Sequence, residues 1–344
     1  MVYSLIGKNF TPPDVHGKVT GKAKYAEDFK ADGMLHARLL TSPIPHARIA
    51  KLDISKALQM EGVFAVLTAD DVPQIPNLGN PILTNEPAYV GDPILAVAAI
   101  NERAAEDAIQ AINFDFERLP FVVDPLVSLR PNGPHARLQG NVGNSTMGDD
   151  FRSLHWSEDD FASLSNNRLP EGESVRDWSI GNLEAGFDQA DYILDESFVT
   201  ASYSHNSMEP RSAMAYWENG KCFLFGSSQS QSFPVPGMAA YIGIDPEDLV
   251  FVAEFCGGGF GSKGGPYPAM SIPAHLSRLT GRPVKLRISR EEEYYIGSAR
   301  HGFQGRAKIG FKKDGRISAM DPVSYTHLRA HETKANRVCR LLLE

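Results

Sequence analysis

Between positions 256 and 265 the chain reads Cys-Gly-Gly-Gly-Phe-Gly-Ser-Lys-Gly-Gly, six glycines in ten residues. Neither a helix nor a strand suits that density, because glycine gives up the most backbone entropy in both. What glycine supplies is positive φ and a backbone that another group can approach without meeting a Cβ. The apolar run Leu249 to Phe255 before it predicts a buried strand, and Ala269 to Leu279 after it predicts a helix closed by Gly281-Arg-Pro283. The chain is therefore expected to build a strand–loop–helix whose backbone N–H groups face a ligand, with a helix N-terminus adding positive potential. An anionic, phosphate-bearing cofactor is the natural guest of such a loop; a flexible surface loop is the plainer alternative.

Two phosphate-binding patterns can be tested letter by letter. A P-loop needs Gly-Lys-Ser/Thr, and here Lys263 follows Ser262 and precedes Gly264, so that pattern fails. Gly259-x-Gly261-x-x-Gly264 does satisfy the dinucleotide fingerprint, which keeps a nicotinamide-dependent oxidoreductase open. Against it, Pro266 and Pro268 delay the helix, and Leu279-Thr-Gly-Arg282 stands where an acidic residue is wanted.

The rest of the body mixes strands and helices at short intervals. Residues 17–125 alternate in this way, with Asn101 set to cap a helix over 102–112 and Ile94 to Ile100 reading as a buried strand. Residues 131–185 are a loop-rich insertion with Trp156 and Trp178 as isolated anchors. A second α+β unit starts near 186, and its Asn219-Gly220 pair between apolar runs signals a hairpin. With 42% hydrophobic residues, net charge −8 and three cysteines in 344 residues, the composition argues against nucleic acid as the main partner. It also argues against a disulfide scaffold, and no run is long and apolar enough to span a membrane. A cytoplasmic protein is expected.

These motifs together resemble the molybdenum-binding large subunit of the xanthine dehydrogenase/aldehyde oxidase family. The carriers are Gly257-Gly-Gly-Phe-Gly261 with Ser227-Ser-Gln229 upstream, Lys18-Val-Thr-Gly-Lys-Ala-Lys-Tyr25, Ser42-Pro-Ile-Pro-His-Ala-Arg-Ile49, Tyr89-Val-Gly-Asp-Pro-Ile-Leu-Ala-Val-Ala98, His205-Asn-Ser-Met-Glu-Pro210 and Ser298-Ala-Arg-His301. The resemblance implies an α+β fold: an N-terminal α/β hammerhead domain over 1–130, the insertion at 131–185, and the first part of a molybdopterin-binding domain over 186–321. It further implies a molybdenum–pterin cofactor, in its plain or cytosine dinucleotide form, that oxidatively hydroxylates a small-molecule aldehyde or N-heterocycle with water. Electrons would leave to iron–sulfur clusters and FAD on partner subunits, so a hetero-oligomer is expected.

Residue by residue, Gln229 matches the family glutamine that hydrogen-bonds an oxygen ligand of the molybdenum, a task suited to a neutral amide donor. Gly258, Gly259, Phe260 and Gly261 match the loop whose backbone reaches the same ligand sphere and the pterin. Neither Gln229 nor Phe260 ligates the metal directly. Gln231, two residues on, is expected to face away. A non-catalytic binding module with a hammerhead-like fold remains a third reading.

Several residues depart from the pattern or take plain roles. Gly264 stands where purine-oxidising members carry a glutamate, which puts purine specificity in doubt. The family's general-base glutamate has no counterpart before Asp321, and Glu209 and Glu291 to Glu293 are read as a turn residue and a solvated helix start. Lys263 is read equally as a cofactor contact or as solvated, and Cys256 as a small buried side chain. His36 and His46 are expected to be structural. From Pro322 the strand pattern breaks, and 322–344 resembles a translated sequencing adaptor. His327, His331 and Cys339 within it are not taken as metal ligands. The body is accordingly expected to be a fragment, inactive by itself.

Overall fold

The computed structural model describes residues 4–75, 81–123, 127, 142–145, 151–153, 157–162, 179–300, 302–327 and 333–338. In chain order the strands are β1 (Leu35–Thr41), β2 (Ala47–Asp53), β3 (Val63–Leu67), β4 (Pro93–Ala99), β5 (Asn113–Arg118), β6 (Val142–Ser145), β7 (Phe151–Ser153) and β8 (Tyr192–Thr200). They continue as β9 (Tyr203–Ser204), β10 (Ala213–Glu218), β11 (Lys221–Gly226), β12 (Leu249–Val252), β13 (Val284–Leu286), β14 (Ala299–Arg300), β15 (Gly302–Phe311), β16 (Ile317–His327) and β17 (Thr333–Val338).

The central sheet runs β12-β11-β10-β13-β1-β4-β3, with β1–β13 and β11–β12 parallel and the other pairs antiparallel. It draws strands from both the 1–130 and the 186–321 ranges. The parallel pairing of Leu35 with Val284 joins them through backbone hydrogen bonds. β4 is buried along its whole length, as a strand covered on both faces must be. Its Ala96 and Ala98 pack toward the helices Val235–Ile242 and Ile272–Thr280, whereas Leu95, Val97 and Ala99 pack toward the helix Glu102–Gln110. That last helix starts where Asn101 Oδ1 accepts from the Ala104 N–H at 2.8 Å. The hairpin between β10 and β11 turns at Asn219 (φ 50°) and Gly220 (φ 79°), the left-handed pair that a two-residue turn requires.

A second sheet, β7-β6-β17-β16-β15-β8, packs the helix Leu183–Asp188 against β15 and β16. Here the structure departs from the sequence reading. β16 does not stop at Asp321 but runs to His327, pairing Pro322 with Ala307 and Val323 with Arg306. Among the described residues β17 pairs with β16 from Val323 onward, so no described strand asks Pro322 for an N–H on that side. Trp156, Trp178, His331 and Cys339 lie outside the described residues, as does most of 131–178.

Candidate functional site: the glycine loop and Gln229

β11 and β12 are parallel neighbours, so their carboxyl ends lie side by side. Ser227, Ser228 and Gln229 leave one end, and the glycine loop follows the other. Ligands of α/β sheets bind at this kind of place, outside the carboxyl ends of parallel strands.

Gln229 and the loop are tied together along three bonds. The Gly261 N–H donates to Gln229 Oε1 at 3.0 Å, and the Lys263 N–H donates to the same oxygen at 3.4 Å. The Gln229 N–H donates to the Lys263 carbonyl at 3.1 Å. With Oε1 turned inward, Nε2 has no hydrogen-bond partner among the described residues and remains a free amide donor. Gln231 does face elsewhere, donating to the Ala253 carbonyl at 3.1 Å.

Phe260 sits at φ 52°, between Gly258 (φ 106°) and Gly261 (φ 100°). A left-handed non-glycine residue costs on the order of 1–3 kcal/mol and persists only where its surroundings enforce it. Phe260 is 63% exposed, so it is no core anchor, and its carbonyl accepts from Arg300 at 2.7 Å. At Gly259 a Cβ would come within 2.2 Å of Gln229 Oε1, so a side chain there would push the amide out of its present place. At Gly264 the nearest atom to such a Cβ is Gln229 Nε2 at 3.9 Å, and the side next to the free amide stays open.

The charged residues around the loop correct the sequence reading. Lys263 is neither solvated nor directed at a ligand: it is fully buried, donating to the Glu209 carbonyl and to Ser227 Oγ at 2.7 Å. Burial pushes its ammonium below the usual lysine range, and the Glu209 carboxylate, 3.7 Å away, opposes that shift. Glu209 is no simple turn residue. Its carboxylate accepts from the Gly257 N–H at 2.6 Å, Ser227 Oγ at 2.7 Å and the Ala26 N–H at 3.1 Å. Glu293 is buried rather than solvated, paired with buried Arg211, which also donates to the Ser262 carbonyl at 2.5 Å. Cys256 is half-buried rather than buried. His46 is structural as expected, its Nδ1 donating to the Pro120 carbonyl at 2.5 Å.

The helix that follows begins only at Ile272, after a 3₁₀ turn at Pro268–Ser271. It therefore contributes no N-terminus to the loop, contrary to expectation, and the dinucleotide fingerprint loses its confirming context. What fits the loop is an anionic group met by an amide donor. Glu209 and Glu293, the acids beneath the loop, are turned inward and paired. No group of three or more potential metal-ligating side chains occurs among the described residues. No helix among them is long and apolar enough to cross a membrane.

Two family models match the chain. Residues 20–120 match the aldehyde oxidase and xanthine dehydrogenase a/b hammerhead domain, and residues 166–342 match the molybdopterin cofactor-binding domain. The chain is 29% identical to the nicotinate dehydrogenase large molybdopterin subunit of Eubacterium barkeri, over 92% of this chain and 69% of that protein. It is 26% identical to the xanthine dehydrogenase molybdenum-binding subunit of Escherichia coli O157:H7, over 91% of this chain and 40% of that one. In fold it is similar to quinoline 2-oxidoreductase from Pseudomonas putida 86, with a TM-score of 0.75 at 23% identity over 97% of this chain and 44% of that chain. An α/β hammerhead domain followed by molybdopterin-binding sequence is thus the architecture, and the chain belongs to the molybdenum-binding large subunits of the xanthine dehydrogenase/aldehyde oxidase family.

Proposed function

We propose that the chain supplies one wall of the cofactor site of a molybdenum hydroxylase, an oxidoreductase acting on an aldehyde or an N-heterocycle with water as oxygen source. The observation that carries this reading is the free Nε2 of Gln229, held outward because Oε1 is engaged by the Gly261 N–H at 3.0 Å. The molybdenum–pterin group, plain or as the cytosine dinucleotide, supplies the two-electron redox chemistry when bound. Gln229 orients its metal end by amide donation, Phe260 shields it with an exposed ring, and Gly258, Gly259 and Gly261 let the backbone approach closely. The open side at Gly264 offers no carboxylate to a purine, which favours the simpler substrates.

Proton abstraction needs a positioned base, worth about 10²–10⁴-fold. Glu209 and Glu293 are buried in ion pairs and do not serve. We assign the base, and the other cofactor wall, to polypeptide corresponding to the remaining length of the relatives. Relatives named as large or molybdenum-binding subunits support electron transfer to separate iron–sulfur and flavin subunits, in the cytoplasm. The test is substrate-dependent dye reduction after expression in a host that makes the pterin. Turnover is expected from the locus product assembled with its partner subunits and not from the 344-residue chain alone. Turnover by the chain alone would contradict the division of roles; none from a molybdenum-replete assembly would contradict the hydroxylase.

A further inference from the structure

A fully buried lysine in a glycine loop is costly, since removing an ammonium from water takes several kcal/mol and an apolar side chain would fill the same volume without it. The partners of Lys263 show what the charge does. Glu209, 3.7 Å from its Nζ, also accepts from the Gly257 N–H at 2.6 Å. Glu209 therefore holds the loop at two points, its carboxylate taking the Gly257 N–H and its carbonyl, with Ser227 Oγ at 2.7 Å, taking the Lys263 ammonium. Between those points lie the left-handed residues Gly258, Phe260 and Gly261. The Lys263 main chain holds Gln229 on both sides, its carbonyl accepting from the Gln229 N–H at 3.1 Å and its N–H reaching Oε1 at 3.4 Å. Ser228 Oγ donates to the same carbonyl at 3.1 Å. Arg211, two residues after Glu209, grips the adjacent Ser262 carbonyl at 2.5 Å.

We propose that Lys263 is a positioning residue: its buried ammonium, clamped by Glu209, locks the Phe260–Gly261 backbone and so fixes the outward aim of Gln229. The inference rests on the cofactor reading for its purpose, but the clamp itself is measurable without the cofactor.

Hydrogen–deuterium exchange on the full chain tests it, comparing peptides over 256–265 with those over the β10–β11 hairpin. Lys263→Met is expected to speed loop exchange at least about tenfold while the hairpin is unchanged. Glu209→Gln removes the charge and keeps one acceptor oxygen, while its amide must face either the Ala26 or the Gly257 N–H, and it too is expected to speed loop exchange. It also serves as the test should Lys263→Met fail to fold. In the double variant, global stability to denaturant should return toward wild type because no buried charge is left unpaired, while loop exchange stays fast. Unchanged loop exchange in the single variants would overturn the proposal. So would loop protection that returns together with stability in the double variant, which is the signature of charge balance alone. Pterin content separates the two levels. Loss of pterin from Lys263→Met but not from wild type supports the positioning role. A wild-type chain that never retains pterin in the assembled enzyme sinks the cofactor reading and leaves the exchange data to decide the clamp.

Discussion

Gln229 Oε1 and the Gly261 N–H meet at 3.0 Å, and this one bond decides which end of the glutamine amide faces outward. An amide has an acceptor end and a donor end, and spending the acceptor on the loop leaves the donor for a ligand.

Gln229→Glu separates these two tasks. The carboxylate still accepts from the Gly261 N–H, so the loop should persist and the melting temperature should barely change. The outward donor is gone, and kcat of the assembled enzyme should fall by about 10²-fold, the usual cost of one missing donor at a developing charge. Steady-state kinetics alongside thermal melts check this pair of outcomes.

Two glycines a few residues apart should behave oppositely. At Gly259 a Cβ would meet Gln229 Oε1 at 2.2 Å, so Gly259→Ala should turn that exposed amide aside and break its bond to Gly261, with an expected cost of about 1 kcal/mol. At Gly264 the nearest atom is 3.9 Å away, and Gly264→Ala should fall within about 0.5 kcal/mol of wild type. Urea unfolding of both variants, read against pterin content, measures the contrast.

Much of this arrangement was legible in the sequence. The Asn219-Gly220 turn, the Asn101 cap and the strand entering the loop follow from local chemistry, and Gln229 with the Phe260 loop stood out through the family resemblance. The buried charges were not legible. Glu209, Lys263, Arg211 and Glu293 are polar letters in polar surroundings, and only the long-range packing of 209–211 against 257–263 and the helix Arg290–Ile296 buries them. A faint signal was available, since Glu209 and Arg211 are two apart and share a face if that segment is extended. β16 beyond Asp321 was missed because Pro322 reads as a breaker until its neighbours in the sheet are known.

The Arg211–Glu293 pair is nearly sealed from solvent, with side chains 2% and 5% exposed. Glu293→Gln leaves the guanidinium buried without its counter-charge and should destabilise the chain by about 3 kcal/mol, far beyond an exposed pair. Denaturant midpoints, compared with those for loss of the exposed Arg48–Glu86 pair, give the expected order.

His275 makes stability depend on pH. Burial lowers its pKa below the usual 6.5, and its Nε2 donates to the Tyr241 carbonyl at 2.9 Å, so the folded chain holds it neutral. The unfolded chain binds the proton more readily, so folding stability should be lost as pH falls from 6.5 toward the lowered folded value. In His275→Gln that component of the slope should vanish. Equal slopes for variant and wild type between pH 7 and 5 would show that His275 is not the group responsible.

The most direct measurement is the molybdenum and pterin content of the locus product, wild type and Gln229→Ala, purified from a host that makes the cofactor. The account predicts near-stoichiometric molybdenum and pterin in wild type and a marked loss in the variant, which lacks both the loop contact at Gly261 and the outward amide. Wild-type protein that is folded, assembled and free of pterin would contradict it.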